Sequence, residues 1–495
     1  MKRFILCVFV LALVCRGTLP AADLYVGAKT VDITPDGPVL LAGQFYARVA
    51  KTVHSPIEAN IIVLESREGD KVLDSAILVS ADIVSVRPVF LVALKDKIQK
   101  AIPDFDISKL IVSATHTHAS LTLSHSAAEE TEDVIGHAEL VRMVTDKITQ
   151  GVKEARDGRQ KAKFSYGLGH AVIGYNRRAV YADGAAVMYG KTNTPNFRAV
   201  EGIEDHDINS MFFWDMQDQL IAMLVNVSCP SQEVEHLREV SSDFWGPTRD
   251  SLRGKHGGGL VILGCCGAAG DISPHLRYME GATLRMDKLR NFNRLQEIGR
   301  RLSSAVEDTY EVVKNDKHEH PAVRHEARIL TLPQRIPTKA EYELSKAEVK
   351  RLENSKGDGR LGWNRRIIGR YEDLANNPNP VHDTPVNVLR IGDAVLCTNQ
   401  FELYTDFGIQ IKARSKAVQT FVVQLTNGAA GLTLADIEGE KGKNIKSGYS
   451  GTYLPSERAK KGGGYGAVIQ SNIVGPEGGQ ILVEETLKMI DKVFQ

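Results

Sequence analysis

The chain has 495 residues, of which 43% are hydrophobic and 25% charged, and its 61 basic residues equal its 61 acidic ones. That is an ordinary globular composition, long enough for one large α/β domain or two to three smaller ones. The neutral balance gives no electrostatic reason to expect nucleic acid as a partner.

The N-terminus reads as a secretory signal over residues 1–22. Lys2 and Arg3 precede the apolar run Phe4 to Cys15, and Arg16 to Ala22 forms a small-residue exit. This predicts a secreted or periplasmic protein, with Cys15 leaving a lipid anchor as the alternative. The run is too short to span a bilayer comfortably, so no stable membrane span is expected. Cleavage would remove three basic residues and no acids, taking the neutral chain to −3. The four remaining cysteines, Cys229, Cys265, Cys266 and Cys397, sit in apolar contexts and do not form a disulfide framework.

Residues 23–495 are expected to form a single α/β catalytic unit, a mixed-sheet core with flanking helices. Lys29-Thr-Val-Asp-Ile33, Asn60-Ile-Ile-Val-Leu64 and Ala76-Ile-Leu-Val-Ser80 are strand-like. Helical spacing covers Val89–Ala101 and Glu139–Ala155, the latter with Leu140, Val144, Ile148 and Val152 on one face. Met211–Trp214 and Ala222–Val227 flank a polar stretch and predict a hairpin. Asp287–Val313 predicts one long amphipathic helix. Thr338-Lys-Ala-Glu341 has the form of a capping box opening a surface excursion over 338–377, a solvated helix pair or a lid. Residues 434–450, rich in Gly, Lys and Glu, predict a mobile loop.

Three polar clusters each follow an apolar, strand-like run: Ser113-Ala-Thr-His-Thr-His118, Gly267-Ala-Ala-Gly-Asp-Ile-Ser-Pro274 and Asn399-Gln-Phe-Glu402. Together they offer two imidazoles, a carboxylate and a hydroxyl, enough to hold a metal ion and attack a carbonyl. Ligands bind beyond the carboxyl ends of strands in open α/β sheets, which favours a functional reading of His116 and His118. In the glycine-rich turn, small residues would let backbone N–H groups approach an oxyanion. There Ser273 is a candidate nucleophile and Asp271 an orienting or metal-binding carboxylate. Glu402 is either a contact at the start of a helix near Leu403 or a metal ligand. Arg177 and Arg178 would make surface salt bridges or clamp a substrate anion.

Taken together, these segments resemble the N-terminal catalytic domain of the neutral/alkaline (non-lysosomal) ceramidase family. The likeness starts at Gly27-Ala-Lys-Thr-Val-Asp-Ile-Thr-Pro35 and runs through His54-Ser-Pro, the His-Thr-His segment, Asn176-Arg-Arg178, Gly270-Asp-Ile-Ser-Pro274 and Asn399-Gln-Phe-Glu402 to Tyr453-Leu-Pro-Ser456. It implies one zinc ion with His116, Glu402 and Tyr453 among the ligands, His118 acting beside the metal, and Ser273 as the catalytic serine. The family's second histidine ligand is expected after Leu224-Val-Asn-Val-Ser228, where this chain has Cys229-Pro-Ser-Gln232. Either a thiolate from Cys229 or His236 substitutes, or the metal site differs or is absent, with Cys229 then a buried thiol.

The resulting expectation is an exported, metal-dependent hydrolase of an amide or related acyl bond, with classical ceramide an improbable substrate. The alternatives are a hydrolase of ester or glycan linkages and a non-catalytic member that binds a ligand or glycan. The partner is a small molecule, a lipid or a glycan, and the sequence does not specify an oligomeric state.

Overall fold

The computed structural model describes residues 22–130, 133–353, 359–428, 430–438 and 452–495. Most of the signal segment and of 434–450 therefore lies outside the described residues. Within 434–450, Leu434–Glu438 is a short helix rather than loop.

Eight strands form the main sheet, in the order Val261–Cys266, Leu220–Val227, Asp207–Asp215, Gln160–His170, Asp23–Asp32, Glu58–Glu68, Lys71–Ala81 and Leu110–Ala114. Its centre is antiparallel. Only the two edge pairs are parallel, Leu220–Val227 with Val261–Cys266 and Lys71–Ala81 with Leu110–Ala114. A second sheet runs Val323–Pro333, Val381–Ile391, Ala394–Thr398 and Gln419–Val423, and it also ends on a parallel pair. The predicted hairpin is present, with Met211 opposite Leu224.

The sheets stack face to face. Leu24, Ile62, Leu78, Phe213 and Leu263 of the first meet Leu389, Leu396 and Phe421 of the second. On its other face the main sheet carries α1 (Pro88–Ala101), α2 (His137–Asp157), α3 (Trp245–His256) and, beyond α4 (Glu280–Arg290), α5 (Arg294–Val313). This layering explains the unbroken apolar run at 60–64. Ile61 and Val63 point to the helices, while Ile62 and Leu64 point between the sheets. Each such side chain contributes about 1.5–3 kcal/mol on burial. The α2 helix lies so close to the sheet that a Cβ on Gly27 would meet the Ala155 carbonyl oxygen at 1.7 Å.

The single helix expected over Asp287–Val313 is two. Asn291 adopts a left-handed conformation that ends α4, and Asn293 opens α5 with a full capping box to Gln296. Leu289 consequently faces solvent. The capping box at Thr338 forms as expected and starts α6 (Lys339–Leu352), which pairs with α7 (Gly359–Asp373). This pair is more than a solvated appendage, because α7 forms part of the wall of a cavity described next.

Candidate active site

The three parallel strand pairs of the two large sheets deliver their carboxyl ends to one region, as the topology of open α/β sheets predicts. Leu110–Ala114 leads into His116, Leu220–Val227 into the 229–235 segment, Val261–Cys266 into the glycine-rich turn and Ala394–Thr398 into Glu402.

His116 is held from several sides. Its backbone is left-handed at φ 69°, a costly conformation for a non-glycine residue. Asp82 braces the approach, taking Thr115 Oγ1 at 3.1 Å, the Glu58 amide at 2.9 Å and Arg249 at 2.5 and 3.0 Å. His116 Nδ1 lies 2.5 Å from the Val84 carbonyl, so it carries the proton and leaves the Nε2 lone pair facing inward. Burial, then the neighbouring His118, hold its pKa well below the usual histidine value, so the imidazole is neutral.

Two groups face that lone pair. His118 Nε2 is 3.2 Å away and Glu402 Oε2 is 3.7 Å away. His118 Nδ1 in turn lies 3.3 Å from Glu235 Oε2, and Arg48 holds the His118 carbonyl at 2.5 Å.

The sequence expected Glu402 near a helix start. It instead lies in the short strand Glu402–Leu403, which pairs in parallel with Tyr453–Leu454 and sets Glu402 beside Tyr453. The helix α8 (Thr405–Arg414) begins later, and its first turn is anchored by Asp271. Asp271 Oδ1 accepts from the Thr405 amide (2.9 Å) and Oγ1 (2.8 Å), while Oδ2 accepts from Asn176 Nδ2 (2.9 Å). Asp271 thus positions the Glu402 region and has no contact with His116 or His118. Burial raises its pKa to about 6.

Arg177, expected on a loop surface, is buried at the centre of the site. Its NH2 donates to the Gly270 carbonyl at 2.9 Å and lies 3.3 Å from the Tyr453 hydroxyl and 3.5 Å from Glu402 Oε2. Its NH1 donates to Gln232 Oε1 and to the Tyr189 hydroxyl, both at 3.0 Å. The Gln232 amide then turns its Nε2 toward His118 Nε2 and Glu235 Oε2, each at 3.4 Å.

The segment after Leu220–Val227 therefore reaches the site, but through Gln232 and Glu235. Cys229 packs with Ile173, Val227 and Phe244, and its Sγ lies 3.5 Å from the Pro230 carbonyl. Burial raises its pKa well above the usual thiol value, the reverse of what a thiolate ligand requires. His236 is exposed. Neither Cys229 nor His236 is among the residues that line the cavity at His116 and Glu402. Cys265, Cys266 and Cys397 are buried free thiols.

Ser273 is fully buried and does not line the cavity above His116. Its Oγ lies 3.0 Å from His275 Nδ1, and His275 Nε2 is 3.3 Å from the Glu233 carbonyl. That carbonyl fixes the Nε2–H tautomer, so Ser273 donates to His275. A Tyr189 hydrogen bond links Ser273 to the Arg177 network. The glycine-rich turn does not present the expected oxyanion donors at three of its amides. Gly267 N–H goes to the Val227 carbonyl, Ala269 N–H to Gln424 Oε1 and Gly270 N–H to the Leu403 carbonyl. The glycines serve close packing instead. A Cβ on Gly270 would meet the Glu402 carbonyl at 2.3 Å.

His116, His118, Glu402 and Tyr453 open into a cavity of about 280 Å³. Its outer wall is aromatic: Phe45 packs edge-on against Trp363 of α7 at 5.0 Å, Trp363 stacks on Tyr465 at 5.8 Å, and Tyr465 meets Tyr453 at 5.3 Å. A separate His/Glu cluster that could hold a cation lies at His125, Glu129 and His137. The sequence reading missed Gln232, Glu235, Tyr189, His275 and this second cluster. Among the described residues, no helix is long and apolar enough to cross a membrane.

No protein-family model matches the chain, and no curated protein sequence does. Solved structures do. A neutral ceramidase from Pseudomonas aeruginosa matches with a TM-score of 0.65 at 14% identity, over 95% of this chain and 75% of that one. A ceramidase described as complexed with C2 matches with a TM-score of 0.66, at the same identity and coverage. The chain has the mixed α/β fold of the neutral ceramidases.

Proposed function

We propose that this chain is an exported hydrolase of acyl amides or related acyl bonds that works with one metal ion, zinc by its donor set. The export part of this reading is supported by the N-terminal basic and apolar segment. The metal part is supported by the convergence of the His116 Nε2 lone pair, Glu402 and Tyr453 on one cavity. A neutral imidazole, a carboxylate and a phenol beside a guanidinium are a donor set suited to zinc. The two imidazoles strengthen the fit. His116 Nε2 carries no proton, so a second nitrogen at 3.2 Å calls for a cation or a proton between them. His116, Glu402 and Tyr453 would hold the ion, with His118 adjacent.

Such an ion, when bound, polarises an acyl carbonyl and acidifies a water. The side chains do the rest. His118 accepts the proton of the attacking water, and Glu235 at 3.3 Å balances the charge that results. As the carbon–oxygen bond forms and the carbon–nitrogen bond breaks, the same proton passes to the leaving nitrogen. Products are a carboxylic acid and an amine. Arg177 holds Glu402, Tyr453 and, through Gln232, His118 in one frame.

A second reading has Ser273 as the nucleophile and His275 as its base, and the 3.0 Å Oγ–Nδ1 contact favours it. Elemental analysis with an acyl-amide screen tests the first reading. Purified protein should carry close to one zinc or similar ion, lost in His116→Ala and Glu402→Ala together with turnover. Full metal occupancy in both variants would sink the assignment. Metal-free protein that binds but never cleaves would favour the ligand-binding alternative. A Ser273→Ala variant with intact turnover would remove the serine reading.

A further inference from the structure

The rim of the cavity differs chemically from its floor. Glu402 is the one carboxylate among the described residues that line it, and Arg177 already stands beside that carboxylate. Two guanidiniums, Arg87 and Arg366, line the same cavity. Arg366 belongs to α7, three residues after Trp363, so both project from one side of the helix. No carboxylate lies within ion-pair distance of Arg366 among the described residues, and the charge that it feels from its own helix is the like charge of Arg370. An unmatched arginine at the mouth of a cavity with an aromatic wall is suited to an anion attached to an apolar chain or ring.

Resting on the hydrolase reading above, we infer that the substrate is an acyl amide with an anionic group at the end remote from the scissile bond. The amide sits at His116 and Glu402, the apolar stretch lies along Tyr453, Tyr465 and Trp363, and the anion meets Arg366 at the rim. Ceramide-like neutral amides have nothing to offer this arginine. Rim charges are solvated, so the preference is modest, on the order of tenfold in Kd at low salt, and it shrinks as salt is added.

The test is equilibrium binding to the full chain of three probes: acetamido-octanoate, its methyl ester and the matching alkyl sulfonate. The two anions should bind about tenfold more tightly than the neutral ester at low salt, and the gap should close toward molar salt. A carboxylate-only preference would identify the anion as a carboxylate, whereas equal binding of the sulfonate would identify charge as the whole requirement. Arg366→Gln should weaken the anions at least fivefold more than the ester, and Arg366→Lys should restore part of the difference. Arg366 is exposed, so these variants fold. Equal affinity for ester and anion in the wild type, no binding of any probe, or equal weakening of all three in Arg366→Gln each overturns the inference. Because Kd is read without turnover, selective binding with no cleavage would overturn the hydrolase reading alone.

Discussion

The floor and the rim of the cavity are built by opposite means. On the floor, His116, Arg177 and Glu402 are at most 3% exposed, and each is tied to several partners. On the rim, Phe45 is 54% exposed, Arg366 has no carboxylate within ion-pair distance among the described residues, and one side of α7 carries part of the wall. The floor can hold its side chains in fixed geometry because each is buried and bonded to several partners. The rim can change residues without disturbing the core, so under the proposed function substrate selection would reside there.

The largest effect that separates the two regions should come from Arg177→Ala. Its guanidinium serves Glu402, Tyr453, Gln232 and Tyr189 at once, and its removal should cost about 3–5 kcal/mol in a denaturant titration and abolish turnover. A variant with wild-type stability would show that the floor is not the tightly coupled unit described above. Gly270→Ala comes next. The added Cβ forces the Glu402 carbonyl to move, at a cost of about 1–3 kcal/mol. Its activity loss should exceed what its melting temperature explains.

The floor should also carry a pH signature. Burial raises the Glu233 carboxyl to about 7, against the opposing effect of Arg294. The folded state therefore holds a proton that the unfolded state releases at lower pH. This contribution to stability is greatest below about pH 4.5 and is lost as pH rises through about 7, by up to about 3 kcal/mol. Glu233→Gln should flatten that fall when stability is measured from pH 4.5 to 8, and an unchanged slope would assign it elsewhere. The smallest stability effect belongs to the rim. Trp363→Ala should cost about 0.5–1.5 kcal/mol or less and appear mainly as a raised KM. A large fall in kcat at unchanged KM would place Trp363 with the floor.

The sequence exposed parts of this arrangement unevenly. His116, His118, Glu402 and Tyr453 were legible because each directly follows an apolar strand or carries a motif, and a strand end has few places to go. The helix start at Thr338 was legible from local capping chemistry. Arg177 was not, since nothing local distinguishes a buried guanidinium from a solvated one. Its role depends on carbonyl and hydroxyl groups 12 to 276 residues away. Cys229 was misplaced by three positions: the chain turns at Cys229-Pro230, and the side chain that emerges into the site is Gln232. The Asp287–Val313 pattern was apolar enough for one helix, but Asn291 and Asn293 were the stop and start signals within it.

The pairing of Glu402–Leu403 with Tyr453–Leu454 has a consequence for how the candidate site is completed. The ladder is only two residues long, closed by Glu402 N–H to the Thr452 carbonyl at 3.1 Å and Tyr404 N–H to the Leu454 carbonyl at 3.2 Å. A slip of one residue would turn the Tyr453 phenol to the opposite face and away from Arg177. Docking of this latch would therefore be a condition for completing the site. A chain can have both sheets assembled and His116 in place and still lack a complete site until residues 452–454 return across fifty positions to dock. Exchange protection at the Glu402 and Tyr404 amides should rise in step with activity during refolding, later than protection of the sheets.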